Sequence, residues 1–346
     1  MPDRRCVSPH WRWLLAVAAL IVASGGMECA AAALAPVVAA PDAADEDRVL
    51  ALDPERISAA DVRDVLARVP GPRIINIQGS LAWVTMQPFA QYLVAMGYSE
   101  ERLRNPADGT FSYSSFAASE RLAGTLAWYY ENEGMMPMLV GHSQGGMLAI
   151  RVLHELAGAF HESIEVWNPT SDESEHRTTI TDPADGRVRP VVGLRVPYAA
   201  ALATGKLPRL LLGQWTMISK LRAIPDSVGE FTGYIILWDA IAGTFPGGEP
   251  YHATGTAEVR NVELPAGTSH IGLPDATHLA SNPETRAWIE SYRPDDHSPP
   301  PIVEGVETGN LLVAADVWFS IKKHWCLEAQ RMVRQRRAVA ARVPAG

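Results

Sequence analysis

The sequence predicts an α/β fold: a mostly parallel central sheet flanked by helices, with a helical cap insertion at about residues 170–230. Three observations carry this expectation. Short apolar runs without alternation, at residues 74–77, 138–140 and 234–238, have the pattern of strands buried on both faces. Segments with helical spacing separate the runs, and such alternation builds a parallel sheet through crossovers. The 346 residues, 47% hydrophobic and 20% charged, suffice for one large core rather than a small stapled scaffold.

The first 35 residues stand apart. Arg4, Arg5 and Arg12 precede an apolar stretch at 13–22, and small residues at 30–35 offer cleavage sites, the signature of a signal peptide. The alternative is a retained N-terminal anchor. The signal reading places the protein outside the cytoplasm, periplasmic or secreted. Its removal takes Cys6 and Cys29 and leaves Cys326 alone, so the mature chain can form no internal disulfide. Residues 36–56 read as a linker and N-terminal segment, 57–296 as the main domain, and 297–346 as a basic helical extension.

Within the main domain, Ser58 and Asp61 cap a helix carrying Val62, Val65, Leu66 and Val69, which Pro70-Gly71-Pro72 ends. The strand at 74–77 runs into the tight loop Gln78-Gly79-Ser80-Leu81. A helix at 88–96 stops at Gly97, and the loop at 105–115 rims the same end of the sheet. Ala118, Leu122, Leu126 and Tyr129 then recur at helical spacing, with Ser115 as cap and Gly134 as stop. After the apolar run at 138–140, a second helix is expected from Met147 to the stop at Gly158. Ile164, Val166 and Trp167 read as a short strand. The acidic cluster Asp172, Glu173, Glu175 and His176 lacks metal-ligand spacing and reads as a solvated loop, so no metal is expected. Apolar helical pieces at 198–202 and 207–224 suggest the cap.

The strand at 234–238 delivers Asp239 at its end, and residues 258–264 alternate as a last strand followed by His270-Ile271-Gly272. His278, ahead of a helix at 283–292, is the rival histidine. Asp172 and Asp275 are weaker candidates than Asp239 for an acidic partner. In the tail, Leu311, Ala315, Trp318, Ile321 and Trp325 share a helical face, beside Lys322, Lys323, Arg331, Arg334, Arg336, Arg337 and Arg342. A basic amphipathic helix of this kind suits peripheral contact with an anionic membrane, or packing of its aromatic face on the main domain. The net charge of −9, with no basic patch in the body of the chain, disfavours a nucleic-acid partner.

All of this is arranged around Gly141-His142-Ser143-Gln144-Gly145, set between a buried strand and a helix. A serine on such a strained turn presents its hydroxyl at the end of a sheet, and only glycines fit the two crowded flanking positions. Here the chain resembles the α/β-hydrolase superfamily, and residues 141–146 look like the elbow of bacterial lipases and esterases. The resemblance covers residues 73–293. It implies Ser143 as nucleophile, Asp239 as triad acid and His270 as base. It also implies the backbone N–H groups of Ser80 and Gln144 as the oxyanion hole, although Gln78 stands where that family usually has histidine. The implied activity is hydrolysis of carboxylic, acyl or lipid-like esters through an acyl-enzyme, with no cofactor. An acyltransferase or thioesterase would use the same residues, and a non-catalytic binding protein would keep only the scaffold.

Overall fold

Strands buried on both faces need helices on both faces, and that is the architecture of the computed structural model, which describes residues 43–205, 215–265, 267–296 and 298–341. The expected signal, Leu207, Leu210, Leu211 and Arg342 lie outside these residues. Five parallel strands stand side by side in chain order: β1 (Ile74–Ile77), β2 (Met138–His142), β3 (Val196–Leu202), β4 (Val228–Ile236) and β5 (Glu258–Leu264).

Period-two alternation divides the core. Ile74, Met138, Val140, Tyr198, Ala200, Tyr234 and Ile236 join one apolar cluster. It also holds the helices α3 (Gln87–Ala95), α6 (Thr277–Ser281), α7 (Pro283–Ser291) and α8 (Leu311–Ala340). Ile75, Ile77, Leu139, Ala199, Ala201 and Phe231 point the other way, toward α4 (Ser119–Glu133) and α5 (Gln144–Leu156).

Local signals match several expectations. Ser58 and Asp61 form a reciprocal capping box on α2 (Ala59–Asp64), and Gly134 ends α4 at φ 75°. Ser115 does not cap α4, which begins after Ala118; its hydroxyl donates to the Gly79 carbonyl instead, 3.2 Å away. Trp167–Asn168 is a strand, but it pairs antiparallel with Glu173–Ser174 outside the main sheet. Thr179–Thr181 and Val188–Pro190 form a second small ribbon.

Two expectations are corrected. The helical cap at about 170–230 contains β3, the middle strand of the sheet, so residues 198–202 are not helical. Its run of Ala199, Ala200 and Ala201 favours helix by intrinsic propensity, but small side chains let α5 approach closely: a Cβ added at Gly146 would stand 3.1 Å from the Ala201 Cβ. Within the expected linker and N-terminal segment at 36–56, residues 43–51 form a helix, α1 (Ala43–Ala51), docked on α8. Gln330 of α8 donates to the carbonyls of Val49 and Leu52 at 3.1 and 2.9 Å, and Arg336 and Arg337 pair with Glu46. The described residues form one compact unit.

The C-terminal helix is core rather than appendage. Trp318, Ile321 and Trp325 are buried, so its aromatic face is spent on packing. Lys322 is buried too and donates to the Ile57 carbonyl at 2.9 Å, while Lys323 bridges Glu55 and Glu230 at 2.8 and 3.0 Å. Cys326 is buried beside them, and burial pushes its thiol up to about 12.

Candidate active site

Ser143 takes φ 53° and ψ −117°, an unusual conformation for a residue with a side chain, between the end of β2 and the start of α5. Two glycines make this turn fit. A Cβ at Gly141 would lie 2.4 Å from the Gly145 carbonyl carbon, and one at Gly145 would lie 2.1 Å from the Ile77 carbonyl oxygen. The turn is clamped by the end of β3: the Ser143 N–H donates to Leu202 at 2.8 Å, and the Thr204 hydroxyl donates to the Ser143 carbonyl at 2.8 Å.

Beside the turn lies the loop that follows β1. A Cβ at Gly79 would be 3.2 Å from the Ser143 Cβ, which measures how near that backbone passes. Gln78 is used structurally. Its N–H donates to Tyr113 at 3.0 Å and its side-chain oxygen accepts from the Ser112 hydroxyl at 2.8 Å, so the 105–115 loop holds this one in place. Among the described residues neither the Ser80 nor the Gln144 N–H has an acceptor. Gln144 occupies the first turn of α5, where backbone donors lack intrahelical partners and the helix dipole favours negative charge.

Asp239 lies three residues past the end of β4. One of its oxygens accepts from the N–H groups of Ile241 and Ala242 at 2.9 and 3.0 Å, closing a turn. The other lies 2.6 Å from His270 Nδ1. Burial disfavours the Asp239 charge, but the His270 hydrogen bond and these two N–H groups outweigh it and hold the carboxyl below its ordinary value. An ionised carboxylate only accepts, so Nδ1 carries the proton and Nε2 of a neutral His270 ring is left as a base.

The loop that carries His270 is tied down twice more. His142 Nε2 lies 2.8 Å from the His270 carbonyl. Asn310, at the start of α8, spreads its amide across the carbonyls of Gly272, Leu273 and Asp275, the last at 2.8 Å. No sequence pattern gives either residue this role. His142 was visible only as the variable place in the elbow motif, and nothing local marks Asn310.

The rival assignments do not converge here. His278 sits in α6 with Nε2 2.7 Å from the Glu307 carbonyl. Asp172 is taken up by Arg121 and the Trp167 indole, and Asp275 lies in the turn after His270. Among the described residues no group of acidic, histidine or cysteine side chains is arranged to hold a metal ion.

Large apolar side chains stand exposed on the loops that carry these groups. Trp83 follows Ser80, Trp238 and Ile241 flank Asp239, Ile271 follows His270, and Phe116 follows Ser115. Phe245 meets Trp238 edge-on at 6.0 Å between ring centroids.

No protein-family model matches the chain, and no curated protein matches it. Among solved structures, one described as RedJ with a PEG molecule bound in the active site aligns with 62% of this chain and 92% of that chain, at 12% identity and a TM-score of 0.28. A likeness that slight carries no argument about fold or function.

Proposed function

We propose that this protein is a serine hydrolase of the α/β-hydrolase kind, acting on carboxylic esters with an apolar acyl group. The observation that carries the reading is the Asp239–His270 pair, tied by His142 to the strained turn that bears Ser143. In the proposed reaction the Ser143 hydroxyl attacks the ester carbonyl while His270 Nε2 takes its proton. Asp239 orients the ring and stabilises the imidazolium. The Ser80 and Gln144 N–H groups receive the charge that develops on the carbonyl oxygen. The proton on His270 then goes to the departing alcohol, and water repeats the sequence in reverse to release the acid.

The preference for apolar acyl groups rests on the exposed rim of Trp83, Phe116, Trp238, Ile241, Phe245 and Ile271. It replaces the argument from the cap, part of which is β3. A fluorophosphonate probe tests the reading: it should label Ser143 of the wild type and leave Ser143→Ala unlabelled. The variant should keep its circular-dichroism spectrum and lose turnover of p-nitrophenyl esters. Undiminished turnover in Ser143→Ala would remove the assignment.

A further inference from the structure

His142 stands beside the nucleophile yet sends its side chain to the base. Its ring is buried, with a centroid 5.1 Å from that of His270 and a tilt of 56°. The carbonyl of His270 can only accept, so His142 Nε2 carries the proton and donates at 2.8 Å. Among the described residues its other nitrogen, Nδ1, is buried without a partner. Burial first, then proximity to His270, pushes the His142 pKa down to about 3, which keeps the ring neutral and the donor in place through the physiological range.

We propose that His142 is a positioning residue, whose Nε2–H fixes the main chain of the base loop to the nucleophile turn and so sets where His270 meets Ser143. The inference rests on the serine-hydrolase reading of the same site. His270 comes six residues after β5 ends, on a loop containing Gly267 at φ 92°. Asp239 holds one edge of the ring, whereas the His142 bond holds the backbone from which the ring hangs. His142 and Ser143 are consecutive and share one clamped turn, so the tether transmits the position of the nucleophile to the base. A residue serving packing alone would be better apolar, because the orphaned Nδ1 costs free energy that a phenyl ring would not. Misplacing reacting groups by about 1 Å costs rate on the order of 100-fold.

The test uses the full chain with His142→Phe, His142→Gln and His142→Asn. A glutamine amide nitrogen reaches about as far as Nε2, and an asparagine amide does not. His142→Phe and His142→Asn should lower kcat about 10- to 100-fold with KM within about twofold, while His142→Gln recovers most of the rate. The second readout does not depend on turnover. The low-field proton resonance of His270 Nδ1, bound to Asp239, should shift or broaden in the Phe and Asn variants and return in His142→Gln. Wild-type kcat and an unchanged resonance in His142→Phe would overturn the proposal. If His142→Phe does not fold, identical behaviour of the Gln and Asn variants would do the same. If the wild type hydrolyses no ester and takes up no fluorophosphonate, the hydrolase reading falls, and the resonance still decides whether His142 positions His270.

Discussion

Two buried polar clusters sit at opposite ends of the same strands, and they are built differently. Toward the amino ends, Asp316 of α8 is fully buried and accepts from both terminal nitrogens of Arg260 at 3.0 Å, from the Tyr292 hydroxyl at 2.9 Å and from the Tyr234 hydroxyl. That fills a carboxylate's accepting positions. Glu230 beside it accepts from Lys323, His324 and Ser320. At the amino end the Tyr198 hydroxyl is buried with no partner among the described residues, whereas at the carboxyl ends Asn76, His142, Gln144 and Asn310 each bury a side-chain polar atom so placed. There the backbone also adopts left-handed φ at Ser143 and Trp238. A cluster whose carboxylates are saturated fastens a helix to a sheet. Orphaned polar atoms and backbone strain cost stability, and those beside Ser143 support the proposal that chemistry occurs at that end.

The comparison breaks if the carboxyl-end cluster also proves purely structural. His270→Ala should lower kcat by about 10⁴-fold, and His278→Ala should stay within about threefold of the wild type. Steady-state kinetics on a p-nitrophenyl ester decides between them, and the reverse pattern would move the base to His278. A converse effect is expected at the amino end. Asp316→Ala leaves Arg260 and two buried tyrosine hydroxyls without their acceptor, and should cost about 3–5 kcal/mol in denaturant unfolding. The kcat of its folded fraction should match the wild type; a large loss of kcat would mean that the two ends are coupled.

The smallest effect sharpens the contrast through pH. Burial opposes the charge of Glu230, but His324 and Lys323 outweigh it and bring its carboxyl from 4.5 down to about 2. On acidification the unfolded chain takes up this proton first, so the stabilisation is full above 4.5 and is lost as pH falls toward 2, by about 3 kcal/mol in all. His142 also acts on the acid side but in a different window. Its ring stays neutral when folded and protonates at 6.5 when unfolded, so stability falls from 6.5 down to about 3. Thermal melts of Glu230→Gln should therefore show a shallower pH dependence below 4.5, where the His142 contribution persists down to about 3, and keep the slope between 6.5 and 4.5. An unchanged slope below 4.5 would show that Glu230 is not the group responsible.

Much of this was legible in the sequence wherever the controlling interactions are local. The Ser143 turn could be read because glycines at 141 and 145 are required by contacts within one strand–turn–helix unit. The Ser58–Asp61 cap, the stop at Gly134 and the strand at Glu258–Leu264 are local in the same sense. Asp239 and His270 could be named from their places after strands, but 31 positions separate them, and their 2.6 Å contact exists only because β4 and β5 lie adjacent.

Tertiary structure alone decided three things. It made a strand of the alanines at 199–201, because a site between β2 and β4 with α5 close above rewards small side chains more than helix propensity does. It turned a basic tail into core, because Trp318 and Trp325 find the sheet face and α1, and Lys322 finds the Ile57 carbonyl. It gave His142 and Asn310 their partners in the loop that carries His270, 128 and 35–38 positions away. Residue type and spacing reveal preferences of the local chain, whereas these choices depend on surfaces that exist only once the sheet has assembled.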